Sequence, residues 1–242
     1  MVSPAYDSDP IALLKALLAT IEDEVIPLTS KGVSSGNKLF GAAILSKAGL
    51  VPQTVSTNNE TASPLLHGEI NCIQQFFAQT SFAAAPGKPA SSQRPNPRDC
   101  VFLATHEPCS LCLSGITWSG FDNFFYLFTY EDSRDLFSIP YDIDILQGVF
   151  RVPAVAHASS EGGTTRGVEE DLDARPLYNR RNKFFTARSF EDLAREIAER
   201  YGEAEGKKWR DEIGRVKARY GGLSDAYQKS KMDCAESASF WK

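Results

Sequence analysis

Near the start of the chain, Ile11, Leu13, Leu14, Leu17, Leu18, Ile21 and Val25 recur at helical spacing. The pattern predicts an amphipathic helix laid on a core. Asp9 is placed to cap it, Pro10 suits its first position, and Pro27 is expected to end it. The period then changes. Residues 40–45 and 50–57 read as strands joined by a turn at Lys47-Ala48-Gly49, with Pro52 marking the second as an edge strand. A helix is expected over 66–78, a surface loop over the proline-rich stretch 82–98, and a buried strand over 100–104. Further expectations are a helix from Cys109 to Ser119, a strand over 123–130, a short helical turn at 132–137 and a last strand at 149–152.

Strand and helix patterns alternate after residue 57, which predicts a sheet with parallel neighbours and helices on both faces. The pattern is lost over 154–182, read as a linker or extended arm. It returns at 189–201, where Ser189 and Asp192 resemble a capping box and Phe190, Leu193, Ile197 and Tyr201 share a face; a second, charged helix is expected over 203–219. The expected organisation is one domain over 1–153, followed by a linker and helical extension over 154–242.

Composition adds exclusions. The 242 residues carry 26 Lys+Arg and 31 Asp+Glu, a net charge of −5, which argues against a broad grip on a phosphate backbone. Arg175, Arg180, Arg181 and Lys183 are the densest basic group, expected to be a solvated surface. No apolar run approaches membrane-helix length, and the first residues lack the basic and apolar regions of a secretory signal, so the expected location is the cytoplasm. Five cysteines, an odd number, do not suggest a disulfide framework. Any imidazole chemistry must use His67, His106 or His157.

Two segments carry chemistry. His67-Gly68-Glu69 opens one predicted helix, and Glu107-Pro108-Cys109-Ser110-Leu111-Cys112 leads into another after a buried strand. A Cys-x-x-Cys at a helix start brings two sulfurs together where the helix favours thiolates. His67, Cys109 and Cys112 then supply the three protein ligands of a catalytic zinc, with the fourth position left for water. A structural zinc would need a fourth donor, and Cys72 or Cys100 would serve only if the fold brought it there. Zinc lowers the pKa of bound water to about 7, and a carboxylate at Glu69 is placed to take that proton and pass it to a leaving nitrogen.

Together these motifs resemble the zinc-dependent cytidine/deoxycytidylate deaminase superfamily, in the branch of guanine deaminase, fungal cytosine deaminase and the tRNA adenosine deaminases. Phe40-Gly41-Ala42-Ala43-Ile44 is similar to that branch's first strand, and the likeness covers roughly residues 10–152. The resemblance implies a three-layer α/β/α fold with a five-stranded mixed, largely parallel sheet, and one zinc per chain on His67, Cys109 and Cys112. It further implies Glu69 as the proton shuttle and hydrolytic deamination of a small aminated heterocycle, such as a nucleobase or nucleoside. It also implies a homodimer, while the acidic charge balance and the lack of a membrane-length apolar run lead us to expect no nucleic-acid or membrane partner. Asn58 or Asn59 is expected to contact substrate, with a plain Asn-Asn turn as the alternative. Phe40 is expected either to stack on the substrate or to pack in the core. Glu131 and Asp132, after the fourth strand, are expected either to set specificity or to cap a helix. His106 stands where the family carries a small or aliphatic residue. The alternatives to a small-molecule deaminase are a tRNA adenosine deaminase and a non-catalytic zinc-binding partner subunit.

Overall fold

The computed structural model describes residues 9–83, 89–152 and 175–233. His157, Cys234 and most of the expected linker lie outside these residues. Helix α1 (Pro10–Thr20) starts as expected, with Asp9 Oδ1 accepting the N–H groups of Ile11 and Ala12. It does not stop at Pro27. A π-helical turn (Ile21–Val25) leads directly into α2 (Ile26–Ser34), and Pro27 falls in the first turn of α2, where its missing N–H does no harm.

Next come β1 (Gly41–Ser46), β2 (Pro52–Thr57), α3 (Gly68–Ala78), β3 (Cys100–His106), α4 (Ser110–Trp118) and β4 (Asn123–Phe128). The five-stranded sheet has the order β2-β1-β3-β4-β5. Pro52 lies on its edge strand, as expected, beside a register shift at Ile44/Leu45. β1 pairs antiparallel with both β2 and β3, and the parallel part is confined to β3, β4 and β5.

The strand expected at 149–152 does not form. Helices α5 (Tyr130–Phe137) and α6 (Tyr141–Ile145) are followed by a π-helical turn (Leu146–Phe150) in which Val149 and Phe150 are exposed. The fifth strand is instead β5 (Thr186–Ser189), paired to β4 with Phe124 opposite Ala187. The Ser189–Asp192 capping box then starts α7 (Phe190–Tyr201), and α8 (Glu203–Ala218) and α9 (Gly221–Asp233) complete the chain described.

Alternation along the strands sorts the core into two layers. On one face Ala42, Ile44, Phe102, Ala104 and Phe124 meet Cys72, Ile73 and Phe76 of α3 and Ile116 of α4. On the other, Ala43, Leu45, Val101, Leu103, Phe125 and Leu127 meet α1 together with Leu193, Ile197, Ile213 and Val216 of α7 and α8. Elements on both sides of residue 153 share this core and sheet. A chain ending there loses a strand and the helices that share a face with α1. We expect it to be insoluble or to melt without a cooperative transition, measured by expression yield and thermal circular dichroism.

At the C-terminal end of β3 the ring of His106 is enclosed by Phe40, Phe128, Phe137 and Tyr220. Burial, assisted by the charge of Lys217, holds its pKa well below the usual value. The unfolded chain takes up this proton near pH 6.5 while the folded chain does not, so folding loses stability as pH falls below that value, at most about 1.4 kcal/mol per pH unit. His106→Phe should flatten this acid limb between pH 6.5 and 5, read from urea midpoints at each pH.

Candidate active site

Two helix starts converge where β1 begins and β3 ends. His67 occupies the position before α3, with extended backbone (φ −60°, ψ 156°), and Cys109 holds the same position before α4. Gly68 allows the approach. A Cβ there would lie 3.0 Å from the Phe40 carbonyl oxygen and 3.1 Å from Gly41 Cα, so the first turn of α3 sits directly on the β1 backbone. Asn58 Oδ1 accepts the Gly68 N–H at 2.8 Å and fixes that turn from the other side.

The result is a cluster of three metal-binding side chains whose ligand atoms all lie within 4.8 Å of one another. His67 Nδ1 is 3.4 Å from Cys109 Sγ and 3.7 Å from Cys112 Sγ. Tetrahedral zinc, with bonds of about 2.3 Å to sulfur and 2.0 Å to imidazole nitrogen, sets such a pair roughly 3.5 Å apart. The donor set thus fits the ion. Cys72 and Cys100 stay in the core, where burial raises both thiols, and no fourth donor joins the cluster among the described residues.

The charges agree with that fit. Hydrogen bonding from Cys112 and His67 holds Cys109 well below the usual thiol range, and burial pushes Cys112 well above it. A second thiolate is therefore costly unless a cation neutralises it. His67 is pushed up to about 9: burial opposes its charge, but the bond to Cys109 and the negative sulfur outweigh it. Glu69 lies beside the cluster with Oε2 3.3 Å from Cys112 Sγ, and burial followed by the charge of Cys109 raises it to about 7.

The cluster opens into a cavity of about 260 Å³. His67, Glu69 and Cys109 share its walls with Phe40, His106, Leu65, Ile139 and Tyr141, and with three further charged groups, Lys38, Glu107 and Asp142. Phe40 thus reaches the cavity. Asn58 and Asn59 do not line it. Asn58 gives its Oδ1 to α3 while its Nδ2 has no partner among the described residues, and Asn59 accepts from the Thr61 hydroxyl within its turn. Glu131 and Asp132 are also elsewhere. Asp132 closes a capping box with Thr129 and pairs with Lys217, while Glu131 lines a separate depression with Arg134 and Arg151. Of these four residues, Asp132 takes the capping role and Asn59 the turn role.

Sequence reasoning missed Lys38, Asp142 and the work of Glu107. Asp142, on α6, is raised to about 7 by burial and then by the charge of Cys109. Lys38 forms a buried pair with Glu60 at 3.2 Å. Glu107 is enclosed: its carboxylate accepts from Tyr178 Oη at 2.8 Å, Arg180 at 3.0 Å and the Tyr130 N–H at 3.2 Å. Arg180 of the expected basic surface reaches this carboxylate while its side chain stays 49% exposed. No local pattern distinguishes these residues from ordinary surface charges.

Residues 21–128 match the family model of the cytidine and deoxycytidylate deaminase zinc-binding region. No curated protein matches the chain. Among solved structures, a guanine deaminase from Nitrosomonas europaea is similar at 16% identity, over 81% of this chain and 84% of that one, with a TM-score of 0.40. A guanine deaminase from Bacillus subtilis is similar at 21% identity, over 68% of this chain and 97% of that one, also at 0.40. A structure from work on tRNA deaminases that edit adenosine to inosine at the wobble position shares 15% identity over 45% of this chain and 74% of that one, at 0.33.

The donor set yields a direct expectation. Purified protein should hold one zinc per chain by elemental analysis, and His67→Ala or Cys112→Ala should hold close to none. Free zinc at a thousandfold excess over its Kd should add about 4 kcal/mol to stability. Chelation should reverse that gain, seen as a fall in Tm.

Proposed function

Residues 21–128 carry a cytidine and deoxycytidylate deaminase zinc-binding region, and from that premise we propose that the chain is a hydrolase that replaces the amine of a small aminated heterocycle with oxygen and releases ammonia. The observation that carries this reading is the placement of Glu69 beside the three donors and on the cavity wall. His67, Cys109 and Cys112 would hold the zinc, which would supply a nucleophile at neutral pH by making water more acidic.

The protein's own groups do the rest. Glu69, with a pKa raised toward neutrality, accepts one proton and delivers it to the ring nitrogen next to the amine-bearing carbon. It then carries a second proton to the departing amine. One water is consumed and one ammonia leaves, so atoms balance without a further reactant. Phe40, Leu65, Ile139 and Tyr141 supply apolar walls suited to a planar ring, and Lys38 and Asp142 offer a cation and a carboxyl group to its polar edges. The cavity volume suits a single heterocycle of one or two rings.

Ammonia release from a panel of bases, nucleosides and pterin-like amines tests the proposal. Wild type should act on at least one small compound. Glu69→Gln should retain its zinc and lose roughly 10²–10⁴-fold in kcat. Equal activity in the two proteins at equal zinc content would remove Glu69 from the chemistry and sink this reading.

A further inference from the structure

His106 forms part of the cavity wall and is only 4% exposed. Its ring is locked in place: it stacks on Phe128 with centroids 4.8 Å apart and meets the edges of Phe40 at 4.4 Å and Phe137 at 5.1 Å. Its Nδ1 lies 2.9 Å from Thr105 Oγ1. Its Nε2 is buried and has no hydrogen-bond partner among the described residues. A buried polar atom left in this state is costly, and because His106 lines the cavity, a molecule that enters can supply the missing partner.

Thr105 Oγ1 accepts the Gly41 N–H at 2.9 Å. Its own proton is left to donate, and His106 Nδ1 lies within reach of it. With the hydroxyl donating to Nδ1, the imidazole proton resides on Nε2. We propose that His106 is a substrate-binding residue whose Nε2–H donates to an acceptor, a ring nitrogen or carbonyl oxygen, on the heterocycle. The inference rests on the reading of this cavity as the substrate site, and it adds a requirement: the ring must present an acceptor away from its reacting amine. Phe40 and Phe128 hold the imidazole rigidly, so the bond costs little ordering when substrate binds.

Three histidines in the chain make the ring nitrogens tractable by ¹⁵N NMR. In zinc-loaded, ¹⁵N-labelled protein, with the His106 signals assigned by their loss in His106→Phe, the expected pattern is a neutral ring with Nε2 protonated and Nδ1 bare. Cytosine, adenine and guanine are then added separately. A base that is deaminated should move the His106 Nε2 signal. For that base, His106→Phe should raise KM about tenfold, the worth of one buried neutral hydrogen bond, with kcat and zinc content within about twofold. His106→Gln, whose amide can still donate, should recover part of the loss.

Two results would overturn the assignment: a proton on Nδ1 with bare Nε2, or a base turned over by His106→Phe with an unchanged KM. The tautomer is read without any ligand, so it decides this point even where no ammonia is released. Absence of ammonia counts instead against the deaminase reading.

Discussion

The direct seating of Gly68 on the Phe40–Gly41 backbone governs the geometry of everything around it. A side chain there would push α3 away from β1. His67 and Glu69, on either side of this glycine, would move with it. Cys109 and Cys112 arrive from a different direction, on the helix that follows β3, so only the fixed relation between β1 and β3 brings the two motifs into register. That relation is the antiparallel ladder from Ala42–Ala104 to Ser46–Cys100, buried on both faces. Helix starts add their own contribution, since unpaired N–H groups at α4 favour negative sulfur; the Cys112 N–H points to Cys109 Sγ at 3.5 Å.

Glu107 extends this constraint to the end of the chain. A carboxylate buried to this degree is costly unless its oxygens are bonded. Its bonding to Tyr130, Tyr178 and Arg180 draws a late segment onto the same locus as the cysteines. Burial still raises its pKa despite these partners and the charge of Arg180. The segment held by Tyr178 and Arg180 then runs into β5, so the buried glutamate and the sheet's last strand reinforce each other. The glutamate before the Pro-Cys pair serves assembly here, while Glu69 stands beside the metal-binding atoms.

The cavity walls are chemically mixed. The lining includes His67, Cys109 and Glu69 together with rings and aliphatic chains, and a few polar groups among them: Lys38, Asp142 and His106. A low-dielectric surround strengthens each of these polar contacts and raises the cost of leaving one unmet. A heterocycle with an amine at one edge and acceptors at another is the kind of molecule that meets such a wall. Helix α6 contributes both Tyr141 and Asp142, which gives this short element between two larger ones a direct part in shaping the site.

Much of this molecule was legible in residue order. Strands β1 to β4, helices α3, α4, α7 and α8, the edge position of Pro52 and the two metal-binding motifs all follow from patterns a few residues long. The reason is local: a 3.6-residue period, a capping box or a Cys-x-x-Cys at a helix start constrains its own backbone. The failures have the opposite origin. Pro27 looked terminal because a π-helical turn that accommodates it leaves no mark in the hydrophobic pattern. Val149–Val152 had strand-like residues, yet the sheet edge beside β4 went to Thr186–Ser189, and pairing between distant segments is decided by which one also buries its helices against α1. Asn58, Asn59, Glu131 and Asp132 do not line this cavity, and their spacing in the chain could not show that. Sequence alone thus determined the donor atoms and the helices that present them. Tertiary structure alone decided the fifth strand, the partners of Glu107 and the cavity wall of Lys38, His106 and Asp142, because those depend on contacts between residues far apart in the chain.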